Sequence, residues 1–379
     1  MIRTRLVHCL GLFALALLLT STTAARAEGL LASTIKGTPD LGVIDALSFA
    51  EGGVLLIGDG RNAQIIAVQT GDTKPVEWKQ TKLENLKEHL AGRLGVEGKD
   101  VEILDLAVNP ASGRAYIAVR KQDDKRYLIL TVDGSGPAQL FDLEGVTFAR
   151  IQLPKGEQAP ISKITDVAAT DGRIVAAARA NEEFASKIFS IATPVKHNAS
   201  ANIYSAETYH VSHRKWETKA PMSVILPFEE DGKQYVAGAF SCTPVVKYPL
   251  DAVQPGARIK GSSVLEVGSG NRPIDMILYE KEGKQYVLTN TFRFHHERRP
   301  FGPSPYWTVR FDRDVLFEDD EVNEEALRRL KGNDPGTDRV EMIEAYHGVS
   351  QLDRLGADRA VVIRTSADGR DDLEVLPLP

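Results

Sequence analysis

The sequence predicts an all-β chain folded as a six-bladed β-propeller. Three observations lead there. The phrase EEDGKQYVAGA at 229–239 returns almost unchanged as EKEGKQYVLTN at 280–290. Each copy follows an apolar run, PMSVILPF (221–228) or PIDMILY (273–279), and precedes another, which is strand, Gly-containing turn, strand. The same unit starts again at Val43, Ile103, Ile164 and Gly348, which makes six units in the chain.

Each element has its own justification. The turns inside the units carry Gly53, Gly113, Gly172, Gly232, Gly283 and Gly356, the residue type that tight hairpins need where φ is positive. Third apolar runs follow at 63–68, 126–132, 186–192, 244–250, 306–311 and 372–378. Fourth runs are weaker: PVEW (75–78), AQLFDL (138–143), a stretch within 202–216, SSVLEV (262–267) and RVEMIEA (339–345). The sixth unit has none, so the spare run LLASTI (30–35) is expected to supply the outer strand of the last blade and close the ring. Two short helical insertions are expected. TKLENLKEHLAGRLG (81–95) puts Leu83, Leu86, Leu90 and Leu94 on one face with a Thr81/Glu84 capping box, and NEEALRRLKG (323–332) starts on Asn323 and ends at Gly332.

The segments GDGRNAQIIAV (58–68) and LAVNPASGRAYIAV (106–119) resemble blades of the NHL-repeat and YWTD-type (TolB-like) six-bladed propellers. The resemblance covers most of residues 30–379 as a repeat pattern. It implies the fold but not an activity, since such propellers include receptors, scaffolds, lactonases and lyases.

Residues 1–27 read as a secretory signal. Arg3 and Arg5 precede the apolar LGLFALALLL, and Ala25-Arg26-Ala27 offers a cleavage site. The expected mature chain is a single domain, 28–379, secreted or periplasmic, with no membrane span after cleavage near Ala27. It would carry 43 basic against 52 acidic residues, a net charge of −9, which disfavours a nucleic-acid role. Only Cys242 would survive processing, so stability must come from the core rather than from intrachain disulfides.

Antiparallel strands place the start of each first strand beside the end of each second strand. One channel mouth is therefore expected to collect Asp45, Asp105, Asp166 and Asp275 with Arg61, Arg120, Arg179, Arg293 and Arg364. Ser223 and Ser350 stand where the fourth and sixth units lack Asp, and Cys242 opens on the same mouth. Two readings of this ring remain: aspartate–arginine pairs that tie blade to blade, or a polar funnel for a ligand. The funnel would take a small polar or anionic ligand, or a segment of a partner protein. The alternative is a metal-dependent hydrolase or lyase of the lactonase type at the same mouth, with a divalent cation, Ca or Zn, as cofactor. His295, His296 and His347 are the candidate metal ligands for it. His210 and His213, on an outer strand, are expected to be solvated surface residues. No Gly-x-Ser-x-Gly elbow and no phosphate-binding Gly loop leading into a helix is present.

Overall fold

The computed structural model describes residues 29–241, 244–267, 270–298, 302–323, 326, 336–337 and 339–379. The expected signal segment, Cys242 and most of the second expected helix lie outside these residues. No helix among the described residues is long and apolar enough to cross a membrane.

The repeated phrase forms the hairpins it predicts. Asp231 and Gly232 have φ of 50° and 73°, and Glu282 and Gly283 have φ of 54° and 77°. Positive φ at both central residues gives a turn whose twist matches that of the flanking strands. Glu230 then pairs with Lys233, and Lys281 with Lys284.

Six sheets form a propeller. Numbered by their first strands along the chain, blade 1 begins at Ala46–Ala50, blade 2 at Val101–Val108 and blade 3 at Ile161–Thr170. Blades 4, 5 and 6 begin at Met222–Glu230, Asn271–Lys281 and Val349–Leu355. The blades do not follow one another around the ring in chain order. Blade 1 packs against blade 3 through Leu56, Ile65, Ile164 and Ala176, and against blade 2 through Leu55, Ile66, Ala118 and Ile129. Blade 2 packs on blade 6 through Leu106, Ile117, Ile363 and Leu373. The ring therefore runs 2–1–3–4–5–6 and back to 2. The apolar core lies between neighbouring sheets, and the innermost strands line a central channel.

The closure differs from the expected one. The last blade's third strand, Asp371–Pro377, pairs with Lys82–Leu83, not with residues 30–35. Ile35–Gly37 instead pairs with Val146–Gln152, and that strand is the outer strand of blade 1, beside Gln64–Gln69. The physical reason lies in the linker after blade 1. PVEW forms no strand; it crosses the turn end of blade 2, where Val76 N–H donates to Ser112 O at 2.8 Å and Trp78 Nε1 to Gly113 O at 2.8 Å. Asp72 anchors the crossing on Arg114 Nη1 (2.6 Å) and Tyr116 OH (3.0 Å). The chain emerges beside blade 6 and fills its open edge, so nothing is left there for the N-terminus to pair with.

The helix Leu86–Leu94 follows, ending on Gly95 at φ 70°. It starts later than the proposed capping box because Lys82 and Leu83 are already in the sheet. Leu86, Leu90 and Ala91 are buried against blades 2 and 6.

Candidate functional site at the channel mouth

An innermost strand has no partner on its channel side, so its N–H groups need acceptors. Aspartates from neighbouring blades supply them. Asp105 Oδ2 accepts from Leu47 N–H at 2.6 Å, and Asp45 Oδ2 from Ile164 N–H at 3.1 Å. Asp166 Oδ2 accepts from Ile225 N–H at 2.8 Å, Asp275 Oδ2 from Leu352 N–H at 2.8 Å and Asp353 Oδ2 from Val108 N–H at 2.7 Å. Every bond runs in the same sense around the ring, from blade 2 to 1 to 3 to 4, and from 5 to 6 to 2. Among the described residues the junction of blades 4 and 5 has no such bond, because Ser223 stands at that place in blade 4 and its Oγ donates to Ala239 O of its own sheet at 3.1 Å.

Of the two readings of the ring, the aspartate–arginine ties are not found among the described residues. None of Arg61, Arg120, Arg179 and Arg364 bonds a ring aspartate. Arg120 pairs with Glu102 of its own blade. Arg364 bonds Glu374 Oε2 at 3.0 Å and the carbonyls of Ala345 and His347. Arg61 is exposed and packs along Gly42. Arg293 belongs to a different hollow, with Phe294, His295 and His296. The backbone wins because edge N–H groups are nearer to the carboxylates than the strand-end guanidiniums are.

Two cavities of about 290 and 300 Å3 occupy the channel and meet at Asp105, Asp166 and Asp275. One extends toward the far ends of the first strands, where Phe49, Ala169, Leu278 and Arg354 line it, and holds Asp353. The outer one opens at the mouth where first strands begin. Of the sequence-derived set, Asp45, Asp105, Asp166, Arg179 and Asp275 line it, together with Lys163, Ser223, Ser241, Arg272 and Gln351. Lys163, Arg179 and Arg272 are exposed, and none forms an ion pair with a described carboxylate. Arg272 stands over the Phe292 and Phe294 rings, 5.8 Å from each centroid. Thr165 Oγ1 and Gln351 Oε1 are buried in the wall without a hydrogen-bond partner.

The carboxylates face the channel but are walled in by protein. That desolvation pushes Asp105 up to about 7, Asp166 up to about 8 and Asp353 up to about 6, and raises Asp45 and Asp275 as well. The bonds from backbone N–H groups oppose the rise, and the neighbouring aspartates add to it. Near neutral pH the ring thus carries less than its full negative charge.

Lys163, Arg272 and Asp353 were not legible as site residues. A signal existed for two of them. Lys163 precedes Asp166, and Arg272 precedes Asp275, by three residues. In a regular strand residues three apart face opposite sides, but the register shifts in both strand starts, and the extra residue brings each pair to the same cavity.

Among the described residues, the one group of three His, Asp or Glu side chains with ligand atoms close enough to share an ion is His210, His213 and Glu217. It includes neither the ring aspartates nor His295, His296 and His347. His347 lies against Gly302, with its Nδ1 buried and unpartnered.

No protein-family model matches the chain and no curated protein does, so the NHL-repeat and YWTD-type resemblance gains no support beyond the six-bladed fold. Solved structures similar to the chain include the PQQ-bound aldose sugar dehydrogenase of Streptomyces coelicolor, 12% identical, with 91% of this chain and 99% of that one covered at a TM-score of 0.33. The lignostilbene dioxygenase of Pseudomonas brassicacearum is 12% identical over 88% of this chain and 69% of its own, with a TM-score of 0.36. The endo-arabinase of Bacteroides thetaiotaomicron is 11% identical over 74% of this chain and 93% of its own, with a TM-score of 0.37. At such values none of them informs what this chain binds or does.

Proposed function

We propose that the protein is a binding propeller, acting in the secreted or periplasmic space, that holds a small organic anion at the channel mouth where the first strands begin. One observation carries the reading. Lys163, Arg179 and Arg272 surround a cavity of about 290 Å3 and form no ion pair with a described carboxylate, Lys163 attracting Asp45 and Asp105 only from farther off, while the carboxylates of that cavity are held by backbone donors and pushed toward protonation. Guanidiniums are suited to a carboxylate or phosphate by their planar fork of donors. The unpartnered Thr165 Oγ1 and Gln351 Oε1 would serve the neutral part of the same ligand. The volume fits a ligand of modest size, such as a dicarboxylate or a phosphate ester.

Calorimetric titration at low salt with a panel of small mono- and dicarboxylates and phosphate esters tests this. One member of the panel should bind with 1:1 stoichiometry, and Arg179→Ala or Arg272→Ala should each weaken it by about tenfold or more, the loss expected for a charge-assisted hydrogen bond. Binding unchanged in both variants would refute the assignment. Turnover of a lactone or ester that Arg179→Ala abolishes would replace it with the hydrolase reading.

A further inference from the structure

We propose that His210, His213 and Glu217 form a binding site for a divalent transition-metal ion of the zinc type, on the outer rim of blade 3. The chain builds the site locally. Asn202–His210 is the fourth strand of the blade, Val211–His213 is one 3-10 turn, and Lys215–Glu217 returns antiparallel to the strand. A 3-10 turn stacks residues three apart, which brings the His210 and His213 rings to 4.0 Å between centroids. The return strand pairs Glu217 with Thr208, two residues from His210 and so on the same face of the sheet.

A ligating atom from each of the three side chains lies within 4.8 Å of the others. Glu217 stands between the imidazoles, Oε2 being 3.6 Å from His210 Nδ1 and Oε1 2.9 Å from His213 Nδ1. Four ligands around a tetrahedral zinc ion sit about 3.3 Å from one another, given bonds of about 2.0 Å. The two carboxylate–imidazole contacts stand within a few tenths of an ångström of that separation, and side-chain rotation would set the imidazole pair, whose ligating atoms lie within 4.8 Å.

The second observation is His210 itself. It is only 2% exposed, and its Nδ1 has no hydrogen-bond partner. Its other nitrogen is already committed, with Nε2 3.0 Å from Ser212 Oγ and 3.6 Å from Glu266 Oε1. Glu266 comes from the outer strand of blade 4, is fully buried, and accepts from Ser212 N–H at 3.1 Å. A carboxylate and hydroxyl that take the far N–H of an imidazole fix its tautomer and aim the remaining lone pair, the arrangement that supports metal-bound histidines. Two imidazole nitrogens and one carboxylate suit zinc rather than calcium, which takes oxygen ligands. His213 is exposed, so water can complete the coordination.

The test uses the full mature chain without an affinity tag, stripped of metal by chelator and dialysed. Zn2+ is then titrated in competition with a chromophoric chelator. We expect one Zn2+ per chain, a dissociation constant below about 1 μM, and a higher Tm with the metal. His213→Ala removes an exposed ligand without touching the core and should weaken binding at least tenfold and abolish the Tm shift. Glu266→Gln should weaken binding by about 10–100-fold through positioning alone, and Co2+ bound to this variant should show an altered absorption spectrum. No uptake by the wild-type chain, or equal uptake by His213→Ala and Glu217→Gln, would overturn the proposal.

Discussion

Asp105, Asp166, Asp275 and Asp353 have raised proton affinities because each is walled in while accepting bonds that the blade edges require. Glu182 is held the other way. It pairs with the buried Lys187 and accepts from the N–H groups of Glu157, Gln158 and Ala159, and although burial opposes them, these partners hold it down at about 2. The two sets give stability opposite slopes with pH. A carboxyl raised from 3.8 contributes fully below that value and loses its contribution as pH rises through about 6 for Asp353, 7 for Asp105 and 8 for Asp166. Glu182, lowered from 4.5, contributes above that value and loses its contribution as pH falls toward 2. Melting temperature should therefore peak on the acid side of neutrality, near pH ~5, and decline toward pH ~8. Asp166→Asn should lower the peak, because one of two N–H donors loses its acceptor, and flatten the decline. A decline of unchanged steepness in that variant, measured by calorimetry across the pH range, would contradict the assignment.

At the scale of elements, local pattern read well and partnership read poorly. The hairpins at 229–239 and 280–290 follow from turn chemistry and alternation, which are local, and the first three strands of every blade fall where the apolar runs stand. The outer strands of blades 2 to 5 also fall within the expected runs, but those of blades 1 and 6 do not. VTFARIQ at 146–152 lacks a clean alternation, and the partner it takes, Gln64–Gln69, lies across an intervening blade, which no local rule reports. The same distance hides the role of Trp78, which reads as part of an outer strand and instead seals the crossing over blade 2. Because Lys82–Leu83 closes the last blade, loss of the N-terminal strand should be mild. Deleting 29–37 removes a short strand from the outer edge of blade 1 and should lower the melting temperature by only a few degrees. Trp78→Ala removes a large side chain buried between blades 2 and 6 and should cost about 3–5 kcal/mol in urea unfolding. If the truncation proves the more damaging of the two, the N-terminal strand has the closing role after all.

The whole molecule is a ring whose second position is filled by the first blade of the chain. Blade 1 is completed only when Val146–Gln152 arrives after blade 2, so residues far apart in sequence lock together the first half of the ring. The mouth inherits its asymmetry from this ring and from the missing aspartate at Ser223. Strand-start aspartates and the polarity of one mouth could be read from repeat spacing, because strand direction fixes which end each residue occupies. Which arginines turn inward could not, since that depends on bulges and on competition from edge N–H groups. The proposed function makes Lys163, Arg179 and Arg272 an anion-binding mouth. A crystal grown in bromide tests it most directly through anomalous scattering. A bromide peak is expected in the outer cavity, in contact with Arg179 and Arg272. Both guanidiniums folded onto ring carboxylates, with no bromide in that cavity, would contradict it.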